Sequence, residues 1–447
     1  MKIFDLYKKL TLANFFNGVA MRLFGLSRRF CSKLVSYAIA LDPNRDLFKE
    51  NLAKLVTKND RFFKKLRKKK IAFYSIPEGC QLLAQKINFI DINQTIPLPL
   101  PAVINDAFVV SQQYQCEAKL PDTYLAELHN TTVFAGTDLI LAENIALYDE
   151  LVKNPTERYA IKSPVVEKVL GDKLNLKTPR SSAKNIDCGI HFAKDHSLNY
   201  FHWIIECLPR LSLISELDKN IPLLVDAHIQ PQAFEALVLI NTDNRPVIKL
   251  LRNKSYAIKK LYYPSQLSVV HDNYFLPHYE KDAVYSPKAI NFVRNTVLQR
   301  LNIDAPQPRR KIYLSRKTSH YRQLLNTTEI ENFLVTQGFE IIFAENLSFY
   351  AQVQLFSEAK IIIGQSGAGM ANFIFAPKEC NVLMMLNDMP HSNLHLFGAI
   401  ATVLDLNLEF LLGKTALILP CIPAMHADFH VDINLLANYL EKNGLVI

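Results

Sequence analysis

From residue 311 to residue 386, short apolar runs of strand length alternate with longer amphipathic segments. That alternation confines this part of the chain to an α/β architecture on a doubly wound, mostly parallel sheet. Residues 311–315 read as a strand. Asn326 and Glu329 have N-cap and N3 spacing for a helix to about 337, Gly338 closes it, and 339–343 return as a strand. Ser348 caps a helix to 359. Residues 360–363 are almost wholly apolar, as a strand covered on both faces must be. The loop 364–369, a helix, a strand at 381–386 and helices near 394–404 and 432–442 complete the unit.

A weaker copy of the pattern precedes it. Apolar runs at 221–225, 246–251 and 260–263 are separated by segments long enough for helices, and Ser286-Pro287 opens a helix to about 301. Residues 302–309, with Pro306 and Pro308, read as a linker. Single cores stop growing at about 250 to 300 residues, so a chain of 447 residues divides. The division read here is a basic helical extension (1–70), an α/β domain (71–301) and a Rossmann-like domain (302–447). Residues 71–185 yield only short strands, such as 132–134 and 139–141.

Charge separates the extension from the body. Residues 1–70 hold 18 Lys and Arg against 5 Asp and Glu, while the remaining 377 residues hold 33 against 37. A cationic nucleic-acid binder would not have a slightly acidic body, so no nucleic-acid partner is predicted. Phe15, Phe16, Leu23, Phe24 and Leu26 beside Arg22, Arg28 and Arg29 suit an anionic membrane surface, and equally a solvated helical extension packed on the body. No stretch reaches the roughly 18 to 20 apolar residues of a membrane span, and the start lacks the apolar region of a cleaved signal. Seven scattered cysteines without a C-x-x-C pair read as reduced thiols. The expectation is a cytoplasmic protein, with peripheral docking on the inner membrane as the favoured account of the basic segment.

Three segments carry candidate chemistry. Gly364-Gln365-Ser366-Gly367-Ala368-Gly369, running on to Asn372, lies between the most apolar strand and a helix. In an open α/β sheet that is the carboxyl end of a strand, and glycine backbone ahead of a helix N-terminus suits a phosphate. It fits neither G-x-G-x-x-G nor G-x-x-x-x-G-K-[ST], which leaves nicotinamide and P-loop assignments unsupported; a tight turn with packing glycines is the bland alternative. Arg316 falls just past the first strand of the same unit, with Arg322 close behind, placed to face that loop and pair with a diphosphate; Lys317 reads as a solvated loop residue. In the segment 199–211, His202, Glu206 and Arg210 recur at i, i+4 and i+8, one polar stripe on an otherwise apolar helix. A general base bordering a cleft and a stripe facing solvent are both compatible with that spacing. His426, Asp428, His430 and Asp432 alternate with period two, but one strand seldom closes a metal site and Asp432 serves better as an N-cap, so no metal site is predicted.

The string His202-Trp203-x-x-Glu206-x-x-Pro209-Arg210-Leu211, the strand end Ile312-Tyr313-x-Ser315-Arg316 with Arg322 and Asn326, the helix 352–359, and Gly367-Ala368-Gly369-x-x-Asn372-x-x-Phe375-x-Pro377 together resemble glycosyltransferase family 61 over residues 185–390. The resemblance implies a GT-B architecture, two Rossmann-like domains facing a cleft. It also implies inverting, metal-independent transfer of a sugar from a nucleotide sugar, without a cofactor. Bacterial members are associated with capsule or surface polysaccharide. One departure is Ser366, where the family commonly has His before its Gly-Ala-Gly.

On this reading Arg316, Arg322, Gln365, Ser366, Gly367, Ala368, Gly369 and Asn372 hold the nucleotide sugar and neutralise the leaving diphosphate. Glu206 and His202 lead as the base, with Asp195 and His196 next, and Arg210 assists. The acceptor is a glycan or lipid-linked saccharide, and closure of the two domains keeps water out. The competing class is a non-catalytic sugar-binding or assembly protein of an envelope polysaccharide complex with a degenerate site.

Overall fold

The computed structural model describes residues 66–98, 102–104, 117–149, 163–179, 182–252, 254–270, 283–303, 308–316, 322–389, 394–416 and 424–446. The chain is mixed α/β and is organised around two large sheets, of eleven and seven strands. Residues 1–65, most of the basic segment, lie outside the described residues. Its last part is not helical: Arg67 to Lys70 fall within the strand Leu66–Tyr74, paired antiparallel with Lys173–Pro179. Alternation with lysine at a sheet margin satisfies a strand as well as a helix, and only the pairing partner 100 residues on decides.

The eleven-stranded sheet has a parallel part and an antiparallel part. Its four parallel strands, Ser182–His191, Leu223–Asp226, Val247–Leu250 and Ser255–Pro264, stand in the spatial order third, second, first, fourth. This is half of a dinucleotide-type doubly wound order. The fourth then pairs antiparallel with Thr123–Phe134, which leads into the hairpins of the 71–185 region. Asn130 takes a left-handed backbone (φ 54°) inside that long strand, opposite a gap in its pairing register with Ser255–Pro264.

In the seven-stranded sheet, Arg310–Leu314, Glu340–Ile342, Ala359–Gln365, Asn381–Asn387 and Asn407–Thr415 are all parallel, in the order second, first, third, fourth, fifth. That is the flavodoxin-like doubly wound order, whose switch point lies between the first and third strands. The short strand Ala102–Val103 joins the same sheet beside Asn407–Thr415, so the segment assigned by sequence to the preceding domain contributes an edge to this one.

The expected elements form for the reasons read in the sequence. Ser286 accepts from the Ala289 N–H and Pro287 starts the helix Pro287–Arg300; Ser348 accepts from Ala351 N–H ahead of Phe349–Ser357; Asp432 caps Ile433–Lys442. Asn326 precedes the helix Thr327–Thr336 but makes no capping bond. Its amide is engaged by Val431 instead, accepting at 3.2 Å and donating at 2.9 Å, and so ties the first crossover to the C-terminal segment.

One apolar core joins the two sheets. It contains Ile190, Trp203, Leu223 and Leu237 from one side and Ile312, Ile362, Met384 and Leu412 from the other. The opposite face of the seven-stranded sheet, including Ile361 and Ile363, is covered by Leu334 and Leu440. Alternate residues of Ala359–Gln365 thus enter different cores, which is why the run reads as uninterruptedly apolar. Each fully buried Leu, Ile or Phe contributes about 1.5–3 kcal/mol, so a core this extensive holds the two sheets together far more firmly than a typical interdomain contact of a hinged enzyme.

Candidate active site

Both switch points open onto the same space. The first strand of the parallel quartet ends at His191 and leads into the loop 192–199; the first and third strands of the other sheet end at Leu314 and Gln365. Between them lies a cleft of about 870 Å³. One wall is His196, Asn199, Tyr200, Gln232 and Arg252, and the other is Arg316, Glu345, Gln365 and the backbone of Gly367 to Met370.

On the glycine-loop wall the two predicted arginines meet. Arg316 Nη1 donates to the Ser366 carbonyl and Arg322 Nη1 to the Ser366 hydroxyl at 3.4 Å. Gly367 is required by closeness rather than by strain: its backbone is extended, but a Cβ there would lie 2.6 Å from the Arg316 Cζ and Nη1. Burial, and then the neighbouring Arg322, push the Arg316 guanidinium down to about 9. Two half-buried guanidinium groups side by side make a cationic spot of the kind that suits a diphosphate. Gln365 is buried, lines the cleft and donates to the Tyr313 hydroxyl at 3.3 Å, leaving its Oε1 without a partner among the described residues. The helix expected after the loop forms as a 3-10 helix, Ala368–Phe375.

Asn372 does not reach the cleft. It is fully buried, accepting from the Tyr200 hydroxyl at 2.6 Å and donating to Gln352 Oε1 at 2.5 Å. It therefore braces the two walls, since Tyr200 belongs to one sheet's crossover and Gln352 to the other's. Further bonds cross the same seam: Gln232 Nε2 donates to the carbonyls of Glu345 and Leu347, both at 3.2 Å, and Glu235 Oε2 accepts from the first helical N–H, Phe349, at 2.6 Å. With the shared core, these bonds join the two walls of the cleft.

The His-Trp segment is not one α-helix. A single turn, Tyr200–His202, passes into a π-turn, Trp203–Cys207, and then a 3-10 helix, Leu208–Leu213, beginning beside Pro209, which has no N–H to continue the ladder. The polar stripe faces inward. His202, Glu206 and Arg210 are all buried, so the solvent-facing alternative is excluded. Arg210 donates to the carbonyls of Pro264 at 2.8 Å and His191 at 2.9 Å and lies between the Phe192 and Tyr263 rings. It ties together the carboxyl ends of two parallel strands and has no contact with the cleft.

Three of the four candidate bases, Glu206, His202 and Asp195, also lie behind the wall. Glu206 is 1% exposed; its Oε1 accepts from Val270 N–H at 3.0 Å and lies 3.7 Å from the buried Lys194 ammonium, and its Oε2 accepts from His202 Nδ1. Asp195 is 1% exposed and accepts from the Tyr148 hydroxyl. Burial, reinforced by the Asp138 carboxylate, raises its carboxyl well above the ordinary range, and the side chain does not line the cleft. What the wall presents is His196. Its ring stacks on His202 with centroids 4.8 Å apart and 23° between planes, and its backbone is left-handed (φ 65°). A non-glycine residue pays on the order of 1 kcal/mol or more for that conformation, a cost that recurs at functional sites.

Residues 200–383 match the family model described as Glycosyltransferase 61. Over those residues the chain is similar to the glycosyltransferase 61 domain. The match begins at Tyr200 and takes in both switch-point strands of the second sheet, Arg316, Arg322 and the whole glycine loop. No curated protein matches the chain.

Several residues at or behind the cleft had no distinguishing signal in the sequence. Lys194, buried behind the wall, and the cleft residues Gln232, at the start of the helix Pro231–Ile240, Arg252, just past the strand Val247–Leu250, and Glu345, in the 3-10 turn Ala344–Asn346, stand in no motif. Arg252 is oriented by Asp226, which is fully buried at 3.1 Å, and packs against Gly136, which is left-handed at φ 71°. The period-two His and Asp residues are dispersed: Asp428 accepts from Gln323 N–H at 2.9 Å and Asp432 caps a helix. Among the described residues no group of three or more His, Cys, Asp or Glu could hold a metal ion, and no helix is long and apolar enough to cross a membrane.

Proposed function

We propose that this glycosyltransferase transfers a sugar, with inversion and without a metal, from a nucleotide sugar to a glycan or lipid-linked acceptor of a surface polysaccharide such as a capsule. The observation that carries the reading is the convergence of Arg316 and Arg322 on Ser366, at the switch point of a doubly wound sheet and beside a glycine that admits the guanidinium. Two fixed guanidinium groups can offset the charge that develops on the leaving phosphate, the role a divalent ion takes elsewhere. The acceptor would enter from the wall carrying His196, giving a GT-B-like arrangement of donor and acceptor sides. Ser366 in place of a family histidine is compatible with this role, because its carbonyl and hydroxyl both receive arginine donors.

Mass spectrometry of the purified protein with UDP-, GDP- and CMP-sugars tests the proposal: transfer or slow donor hydrolysis, lost in Arg316→Ala, is the expected result. Nucleotide binding without turnover, unchanged in Arg316→Ala, would instead establish the non-catalytic alternative. Docking to an anionic inner membrane through the basic segment belongs to the same proposal. Deletion of residues 1–65 should release the protein from anionic vesicles, and retained binding would refute it.

A further inference from the structure

We infer that His196 is the catalytic base, positioned by an inward chain of His202, Glu206 and Lys194; this deepens the functional proposal above and rests on it. Four observations converge. His196 follows the carboxyl end of the first strand of the parallel quartet, the switch point of that sheet, and lines the same cleft as Arg316 and the glycine loop. It is half-buried between Asp195 and Ser197, which are both 1% exposed, so it alone of that trio presents its side chain to the cleft. Its left-handed backbone, held by a turn in which Asn199 N–H donates to the His196 carbonyl at 2.7 Å, aims it there. Its ring lies flat on His202, whose Nδ1 is pinned by a carboxylate that Val270 N–H and Lys194 hold in turn.

The second layer explains why Glu206 and His202 occur together without reaching substrate. A carboxylate only accepts, so His202 carries its proton on Nδ1, and ring and tautomer are both fixed. The His202 ring then forms a rigid platform that restricts His196 to one orientation. His202, Glu206 and Lys194 are positioning residues, and the reacting group is the His196 imidazole.

The step balances within the cleft. His196 takes the proton from the acceptor hydroxyl, whose oxygen forms a bond to the anomeric carbon as the bond from that carbon to the phosphate oxygen breaks. The electron pair leaves on the phosphate, facing Arg316 and Arg322, and His196 returns its proton to solvent.

The left-handed backbone supplies a clean test, because glycine adopts φ 65° without strain and His196→Gly keeps the fold. The assay is hydrolysis of whichever UDP-, GDP- or CMP-sugar the wild-type protein turns over, with water as acceptor. His196→Gly should lower kcat by about 100-fold or more, the usual contribution of a general base. It should leave binding of the free nucleotide unchanged, and added imidazole should restore part of the rate. Glu206→Gln, which keeps the shape but weakens the anchor, should lower kcat with the donor KM unchanged. Turnover by the wild type together with a His196→Gly rate within threefold of it overturns the base assignment alone. Absence of turnover by the wild type with every donor overturns the functional proposal beneath it.

Discussion

Replacing Gly367 by alanine should separate ligand binding from folding. The new Cβ would stand 2.6 Å from the Arg316 Cζ and Nη1 and 2.8 Å from its Nε. Ordinary carbon contacts are about 3.5–4.0 Å, so the guanidinium must retreat by roughly 1 Å. The obstructed atoms are the far end of a flexible side chain, and Gly367 has extended backbone (φ 179°), so neither overpacking nor strain should cost much stability. What is lost is alignment of a charge-assisted hydrogen bond, worth about 1.5–3 kcal/mol, or about 10- to 100-fold in Kd at 1.4 kcal/mol per tenfold. Titration calorimetry with UDP, GDP and CMP, beside a thermal melt, would measure both. Gly364→Ala is the control. Its Cβ would meet Met370 Sδ at 2.7 Å and Leu314 Cβ at 3.1 Å, buried atoms of the core, and should cost about 1–3 kcal/mol of stability. Wild-type nucleotide affinity in Gly367→Ala, with a lowered melting temperature, would refute the assignment of Arg316 to the phosphate.

Arg316 also predicts a pH limit. With its guanidinium pushed down to about 9, nucleotide affinity should fall as pH rises past 9, because an increasing share of the free protein has lost the charge that the anion needs; flat affinity from pH 8 to 10 would contradict it. For Asp195 the raised carboxyl means that the folded state binds more protons than the unfolded one above the ordinary carboxylate range, so this group costs stability as pH rises from there. Asp195→Asn should therefore raise stability at pH 7, flatten the pH dependence of the melting temperature and retain turnover; loss of turnover in a folded protein would restore Asp195 as a base. Tyr200→Phe removes the 2.6 Å donor to Asn372 and leaves a buried acceptor, costing about 1–3 kcal/mol by denaturant unfolding; an unchanged midpoint would show that the brace is dispensable.

Local chemistry specified a good part of the molecule. Ser286, Ser348 and Asp432 cap the helices predicted from them, because a cap is a contact between neighbours in the chain. The run Ile361 to Ile363 is buried on both faces because all three side chains are apolar. The strand-loop order from 311 to 386 also placed Arg316 and the Gly364–Gly369 loop at adjacent strand ends, since parallel strands joined by crossovers bring their carboxyl ends to one edge. These were matters of short-range order, and the amino-acid sequence by itself determined them.

Tertiary structure decided which way polar groups point. The spacing of His202, Glu206 and Arg210 was the same whether the stripe met water, a cleft or the core, and packing under the loop 192–199 turned it inward. The same packing separated neighbours: Asp195 became a buried carboxyl and His196 the group on the wall. Asn372, read with its loop as a donor ligand, became a brace because its partners, Tyr200 and Gln352, are 172 and 20 residues away. Burial and long-range pairing set the charge and reach of each of these side chains, and neither quantity is written in the spacing of residues along the chain.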